Sequence, residues 1–277
     1  MHMPTQEAVI RFECFFGTLL VMAMWEGFAP RRPLTQNKRL RWFSNLGLSL
    51  LNNVLWRLLM PAGAVGFAMA VQDRGWGLFN PVELPSWCEI VISVVLLDLS
   101  IYWQHWAFHR VPWLWRLHLV HHVDLDFDAT TGVRFHTIET LLSFVWKVAV
   151  IALLGAPALA VMIFEILLNA TALFNHSNAR LPLRLDRVLR LIFVTPDMHR
   201  VHHSIANHET NSNYGFCVSW WDCLFGTYHA QPDAGHDGMS IGRPEFRDAQ
   251  VERLPFMLLL PFRRELPPTP CRKTHDA

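Results

Sequence analysis

Three runs of histidine dominate the chain: His105-x-x-x-His109, His118-x-x-His121-His122 and His199-x-x-His202-His203. On an α-helix, residues three and four apart share a face, so each run presents its imidazoles in one direction. Neutral imidazole is the commonest protein metal ligand, and this spacing lets two or three rings grip one ion. Eight such rings exceed the needs of a single ion, and two ions sharing them would each keep a position for an exogenous ligand. Ring type alone leaves zinc, copper, iron and nickel open. The H-E-x-x-H pattern of zinc hydrolases is missing, because His208-Glu209 lacks its second histidine, and so are the Glu-x-x-His pairs of ferritin-like carboxylate centres. A redox metal in an all-nitrogen dimetal site would activate dioxygen against an inert C–H bond.

The elements that must hold these rings are set by an apolar composition. Hydrophobic residues make up 52% of the 277 and charged ones 17%, against roughly 45–50% and about 25% in an average soluble domain. A helix needs roughly 20 mainly apolar residues to cross a bilayer. Such runs occur at 8–29, at 44–71 with Arg57 inside it, and at 87–108 with Glu89 and Asp98. The stretch 139–175 is too long for one crossing, and Gly155-Ala156-Pro157 at its middle predicts a hairpin that enters and leaves on one side. A secretory signal peptide is the alternative for the first run, but Glu7 and Arg11 stand where a basic cluster would be. Arg31, Arg32, Lys38, Arg39 and Arg41 crowd the first loop, which makes it cytoplasmic. Tracing onward puts 108–138 and everything after His176 on that same side, so all three histidine runs meet one face of one membrane.

The fold expected is therefore all-α: multi-spanning membrane helices with a cytoplasmic helical cap carrying a polyhistidine dimetal site, built as a single integral membrane domain over 1–277. Near the C-terminus, Arg253 to Arg264 encloses an apolar stretch too short to span, which either lies on the interface or is buried. The charges nearly cancel, 24 basic against 23 acidic, so no basic surface is offered to nucleic acid. Cys14, Cys88, Cys217, Cys223 and Cys271 are scattered and read as small buried hydrophobes rather than a disulfide or metal framework.

Local signals place the histidines on helices. Thr195-Pro196-Asp197 supplies an N-cap hydroxyl, a proline at the first helical position and an acid in the first turn just ahead of His199. Asp98, Tyr102, His105 and His109 follow at steps of four, three and four and form one stripe. An acid within a span is costly, so Asp98 is expected either to orient a ligating imidazole or to bond a neighbouring helix.

Read together, these motifs resemble the fatty acid hydroxylase and sterol desaturase superfamily of integral membrane di-iron enzymes. The likeness covers 98–228 and rests on Asp98-x-x-x-Tyr102-Trp103-x-His105-x-x-x-His109, Trp115-Arg116-x-His118-x-x-His121-His122 and Thr195-Pro196-Asp197-Met198-His199-x-x-His202-His203. It continues through Asn213-Tyr214-Gly215 and Trp221-Asp222-x-x-Phe225-Gly226-Thr227. The resemblance implies two iron ions, dioxygen as co-substrate, electrons from a separate carrier protein, and hydroxylation, desaturation or ether cleavage of a lipid drawn from the bilayer. It also makes His176 and His136 further candidate ligands, although Thr137 replaces the family's usual proline and Arg180 stands where some members carry another histidine.

Asn213 and Asp222 either brace the last histidine run or close the turns before Gly215 and Gly226. Trp103, Trp106, Trp113 and Trp115 either line a substrate path or anchor the interface. His2, His208, His229, His236 and His275 have no ligand spacing and are expected to be solvated or structural. The basic first loop either docks the electron carrier or serves only as the topology determinant. A bacterial inner membrane and an endoplasmic reticulum both fit. Two rival functions use the same residues: a zinc-dependent membrane lipid hydrolase, and a non-catalytic metal-binding membrane subunit.

Overall fold

The computed structural model describes residues 3–270, so His2, His275 and Cys271 lie outside the described residues. Helix α1 (Met3–Phe28) is followed by α2 (Lys38–Leu59) and α3 (Gly63–Asp73). The expected second span is thus broken in two. Pro61 has no N–H to donate and its ring clashes with the preceding turn, and Gly63 takes the left-handed φ of +61° before α3 starts. Helix α4 (Ser86–Arg110) runs into α5 (Pro112–His122), with Pro112 at the first helical position. The hairpin forms as expected: α6 (Thr137–Leu154) and α7 (Ala158–Asn175) are joined through Gly155 at φ +73°. Five segments, 6–28, 38–73, 86–110, 137–154 and 158–175, are long and apolar enough to cross a membrane.

The remaining helices are short and belong to the histidine end: α8 (Leu183–Leu189), α9 (Pro196–His202), α10 (Asn207–Thr210), α11 (Trp220–Phe225), α12 (Gly235–Gly238) and α13 (Leu254–Leu259). The described residues hold isolated β-bridges but no strand.

Two sets of contacts fix the ends of the bundle. At one end the loop between α3 and α4 rests on the hairpin tip, where Leu78 N donates to Leu153 O at 2.9 Å and Phe79 N to Leu154 O at 2.9 Å. At the other, Arg31 N donates to Asn178 O at 2.6 Å and Arg180 N to Ala29 O at 2.9 Å, which joins the ends of α1 and α7. The first loop therefore lies on the histidine side, as its basic residues led us to expect. Its cations are largely spent inside the chain. Arg31 pairs with Asp197 and Asp237, Arg32 donates to Met239 O, and Arg41, fully buried, grips Asp124 with two nitrogens and Asp128 with a third. Lys38 and Arg39 alone of the five are exposed.

Leu97 and Ile101 of α4, Ile151 and Leu154 of α6, and Val161, Phe164 and Ala172 of α7 form the bundle core with Ala64 and Ala68 of α3. Large apolar side chains also face outward along the spans, among them Phe12, Leu20, Phe28, Leu58, Val91 and Leu153, the reverse of a water-facing surface. A charge cluster between spans is paired: Glu165 of α7 accepts from Lys147 at 2.5 Å and meets Arg11 at 2.7 Å. The C-terminal apolar stretch is in part buried, through Phe256, Met257 and Leu260, while Leu259 and Phe262 are exposed. Of the described cysteines only Cys217 meets the buried-cysteine expectation; Cys14 and Cys88 are half-buried and Cys223 is exposed.

Candidate metal centre

Docking α4, α5, the end of α7 and α9 against one another brings nine imidazoles together, all buried. They divide into two adjoining sets. His105, His109, His118, His122 and His202 offer ring nitrogens within 4.8 Å of one another, and so do His121, His176, His199 and His203. Helices α5 and α9 each serve both sets: α5 sends His118 and His122 to the first and His121 to the second, while α9 with its C-cap sends His202 to the first and His199 and His203 to the second; α4 supplies only the first set and the end of α7 only the second. His122 and His203 stack at 4.7 Å where the sets meet. His176, the C-cap of α7, thus stands among the box histidines.

The rings are aimed by acceptors behind them. Nδ1 of His105 lies 2.9 Å from Tyr214 O, that of His202 2.7 Å from Ser212 O, and that of His176 2.8 Å from Ala172 O. A carbonyl only accepts, so Nδ1 carries the proton and Nε2 is left with its lone pair. His118 Nδ1 meets a carboxylate instead, Glu139 Oε1 at 2.6 Å. The lone-pair nitrogens converge. Nε2 of His105, His118, His122 and His202 are buried without a hydrogen-bond partner, as are both ring nitrogens of His109 and His203. His176 Nε2 lies 3.1 Å from both His121 Nε2 and His199 Nε2. Two ligands on one ion at about 2.1 Å stand roughly this far apart. Buried polar atoms are ordinarily satisfied, and so many orphaned nitrogens pointing inward fit a pair of metal ions.

Protonation is suppressed as well. Burial pushes His118 and His176 down to about 3, and drives His121, His122, His199, His202 and His203 well below the ordinary imidazole value, with neighbouring rings adding to the effect. Near neutrality these imidazoles are uncharged, the form in which they ligate.

Several expected roles are corrected. Asp98 orients no imidazole: Trp221 Nε1 donates to it at 2.8 Å, and the backbone N–H groups of Cys217 and Val218 at 3.2 and 3.4 Å. It lies two helical turns from His105, whose ring is already held by Tyr214 O. His136 lies outside both sets. Its Nδ1 accepts from Ile138 N at 3.2 Å and caps α6, while Nε2 faces Leu258 O. Tyr102 acts through others, its hydroxyl bonding Thr227 Oγ1 at 2.9 Å while Thr227 donates to Asp222.

Asp222 accepts from Tyr214 N at 2.7 Å and Gly215 N at 2.8 Å, so it fixes the peptide whose carbonyl aims His105, and burial raises it to about 6. A Cβ at Gly215 would meet the Asp222 carboxylate at 2.6 Å. Asn213, at a left-handed φ of 52°, donates to Met198 O in α9 and to His229 O. Trp115 is buried against His109 and His122 at 5.0 and 5.4 Å, whereas Trp103 and Trp113 are exposed. His208, away from the centre, meets Asp233 at 2.8 Å on the surface. Glu139 and the carbonyls of Ser212 and Tyr214 were not legible beforehand, because nothing in their spacing connects them to the rings they hold.

Residues 90–227 match the model of the fatty acid hydroxylase family. The chain belongs to the fatty acid hydroxylase family. It is similar to the ornithine lipid hydroxylase OlsE of Rhizobium tropici, 30% identical over 79% of this chain and 66% of that one. An alkylglycerol monooxygenase of Xenopus tropicalis is 27% identical over 86% of this chain and 51% of its own length, and a cholesterol 25-hydroxylase-like protein of Danio rerio is 28% identical over 72% and 78%. The chain thus spans 66% of the first of these relatives and about half of the second. No solved structure matches it. The family segment contains all nine clustered histidines, from His105 to His203, and the five apolar segments described above make this an integral membrane member of the family.

Proposed function

We propose that this chain is a membrane-bound di-iron oxygenase that oxidises a lipid, with the five-imidazole and four-imidazole sets each holding one iron. The observation that carries this reading is the convergence of buried, unpartnered, neutral imidazole nitrogens into two adjoining sets within a family whose named relatives are lipid hydroxylases and monooxygenases. Bound iron there would use dioxygen, with electrons from a separate carrier protein, to oxidise a C–H bond of the lipid. The protein's own contribution is placement. Glu139 and the Tyr214, Ser212 and Ala172 carbonyls hold the rings, and Trp115, Phe127 and Phe135 pack around them and keep water out. Phe216 reaches both sets, 6.2 Å from His105 and from His176, and belongs to the apolar core between α4, α6 and α7. A lipid substrate would approach the centre from this apolar side. The exposed Lys38 and Arg39 favour a cytoplasmic histidine face, and the whole chain acts as one membrane-embedded unit.

The test is metal and product analysis of protein purified in nanodiscs after growth with iron, beside a His121→Ala/His202→Ala variant. Two irons per chain, lost in the variant, together with a lipid product that forms only under dioxygen, are the expected results. Stoichiometric zinc with oxygen-independent turnover would replace the oxygenase by a hydrolase. Bound iron without any product from a total lipid extract would replace it by a metal-binding subunit.

A further inference from the structure

The segments that follow α7 carry a surface that no spanning helix accounts for. Leu191, Ile192 and Phe193 are 69%, 46% and 43% exposed, and Trp220, Leu224 and Phe225 are 47%, 68% and 39%. Hydrogen bonds weld the two groups into one ridge: Trp220 Nε1 donates to Leu191 O at 2.8 Å, Ser219 N to Ile192 O at 3.0 Å and Val194 N to Cys217 O at 3.2 Å. Helix α8 leads into the ridge with Leu183 and Val188 exposed beside Arg184 and Arg187.

Depth can be read from the helices. The loop entering α4 sits on the α6–α7 tip, so Ser86 and Ala158 start from one end of the bundle. At 1.5 Å per residue, Asp98 lies about 18 Å above that end along α4, and Thr171 about 20 Å above it along α7. Both touch the segment before α11. Asp98 accepts from Cys217 N, Val218 N and Trp221 Nε1, and Thr171 Oγ1 lies 3.2 Å from Cys217 Sγ. The hydrocarbon core is about 30 Å thick. Both helices, measured from that shared end, therefore place the base of the ridge inside it.

The backbone chemistry agrees. Irregular chain at hydrocarbon depth persists only where its polar groups are satisfied by protein. The Asp98 carboxylate takes two N–H groups and the indole, and the Leu191–Val194 stretch takes others. A mid-span acid with no imidazole partner thereby gains a reason. The ridge is also continuous with the lipid-facing side of α4, since Phe225 packs on Trp103 at 4.7 Å.

We propose that Leu191–Phe193, Trp220, Leu224 and Phe225 are immersed in the phospholipid acyl chains of the leaflet on the histidine side, as a second membrane-contact surface besides the spans. Arg184 and Arg187 reach up from it to the headgroups, their stems lying along the apolar surface. This rests on the membrane placement of α4 and α7 and is independent of which metal the centre holds.

Nitroxide labels at Leu191→Cys and Leu224→Cys, made after replacing Cys14, Cys88, Cys223 and Cys271 by Ser, test it in phosphatidylcholine nanodiscs. Val91→Cys on the outer side of α4 and the exposed Asp237→Cys serve as references. The expected result is several-fold greater relaxation by oxygen than by a water-soluble nickel chelate at 191 and 224, as at 91, with the reverse at 237. Labels at 191 and 224 that behave like the one at 237 would overturn the proposal. So would labels shielded from both reagents, which would mean that a second copy of the chain covers the ridge. Should the substituted chains not fold, Cys223 of the unaltered chain reports the same thing. It should react at least ten-fold more slowly with a charged thiol reagent in nanodiscs than with an apolar one, and equal rates would overturn the proposal.

Discussion

At the scale of single residues, the distinction that matters is between imidazoles that face the centre and groups that aim them. His118 is the one clustered ring held by a carboxylate, Glu139 Oε1 at 2.6 Å. Such a partner fixes the ring's tautomer and raises its basicity, and its loss typically costs 10–100-fold in metal affinity. Glu139→Ala should therefore release iron to a chelator at least ten-fold more readily than the parent, with Glu139→Gln falling between them. Retention unchanged in the alanine variant would show that the contact is incidental. His136→Ala gives the contrasting result. That ring caps α6 and touches neither set, so the variant should lose about 1 kcal/mol of stability and keep its full metal content, measured by thermal unfolding and elemental analysis. Spacing made the eight box histidines legible because i, i+3 and i+4 geometry is local. The resemblance, not spacing, put His136 forward as a further candidate, and it fails there because whether a ring at a helix start turns inward or bonds its own backbone is decided by the neighbouring chain, here Leu258.

At the scale of elements, apolar run length identified the spans, and Gly155 with Pro157 identified the hairpin. The break at Pro61 was present in the sequence as well, but hydropathy averages over a proline and read 44–71 as one helix. What no run length reveals is how the tip of the hairpin is held. Gly77, at φ +104°, packs so closely that a Cβ would meet Gly155 N at 2.1 Å, whereas a Cβ at Gly75, at φ +66°, would have nothing within 4 Å. Both positions penalise an L side chain by about 1–2 kcal/mol through backbone conformation. Only Gly77→Ala must also push one backbone off another and so break the Leu78–Leu153 and Phe79–Leu154 bonds. Gly77→Ala should lower the unfolding midpoint in detergent distinctly more than Gly75→Ala does. Equal shifts would mean that the loop does not rest on the tip, and the common end used to set depths along α4 and α7 would be lost.

At the scale of the molecule, the division of nine rings into five and four belongs to no single motif, since α5 and α9 each feed both sets. Their assembly also collects titratable groups whose linkage sets how the metal-free chain responds to acid. Each clustered imidazole outside the spans has a folded value far below the ordinary 6.5 or so, about 3 for His118 and His176. Below pH 6.5 the unfolded chain takes up protons that the folded one refuses, so stability falls as pH falls, by up to about 1.4 kcal/mol per pH unit for each ring.

Asp222, raised by burial to about 6, and Glu252, raised by burial and Asp124 to about 7, act with the opposite sign, because there the folded state holds the proton more tightly. These acids, together with Asp126, which burial also raises, are outnumbered by the seven clustered imidazoles outside the spans, and burial depresses His136 and His236 as well. Asp124, which burial would raise but which Arg41 and Arg134 bring down to about 2, stays charged and supportive until pH drops below about 4. Chelator-treated protein should therefore lose thermal stability steeply between pH 6.5 and 5, well before the Arg41–Asp124 network titrates. Metal-loaded protein should hold its midpoint further down, because bound ions occupy the lone pairs that acid would otherwise claim. A metal-free chain as stable at pH 5 as at pH 7 would mean that the nine rings are not buried together, and the two-set centre would fall with it.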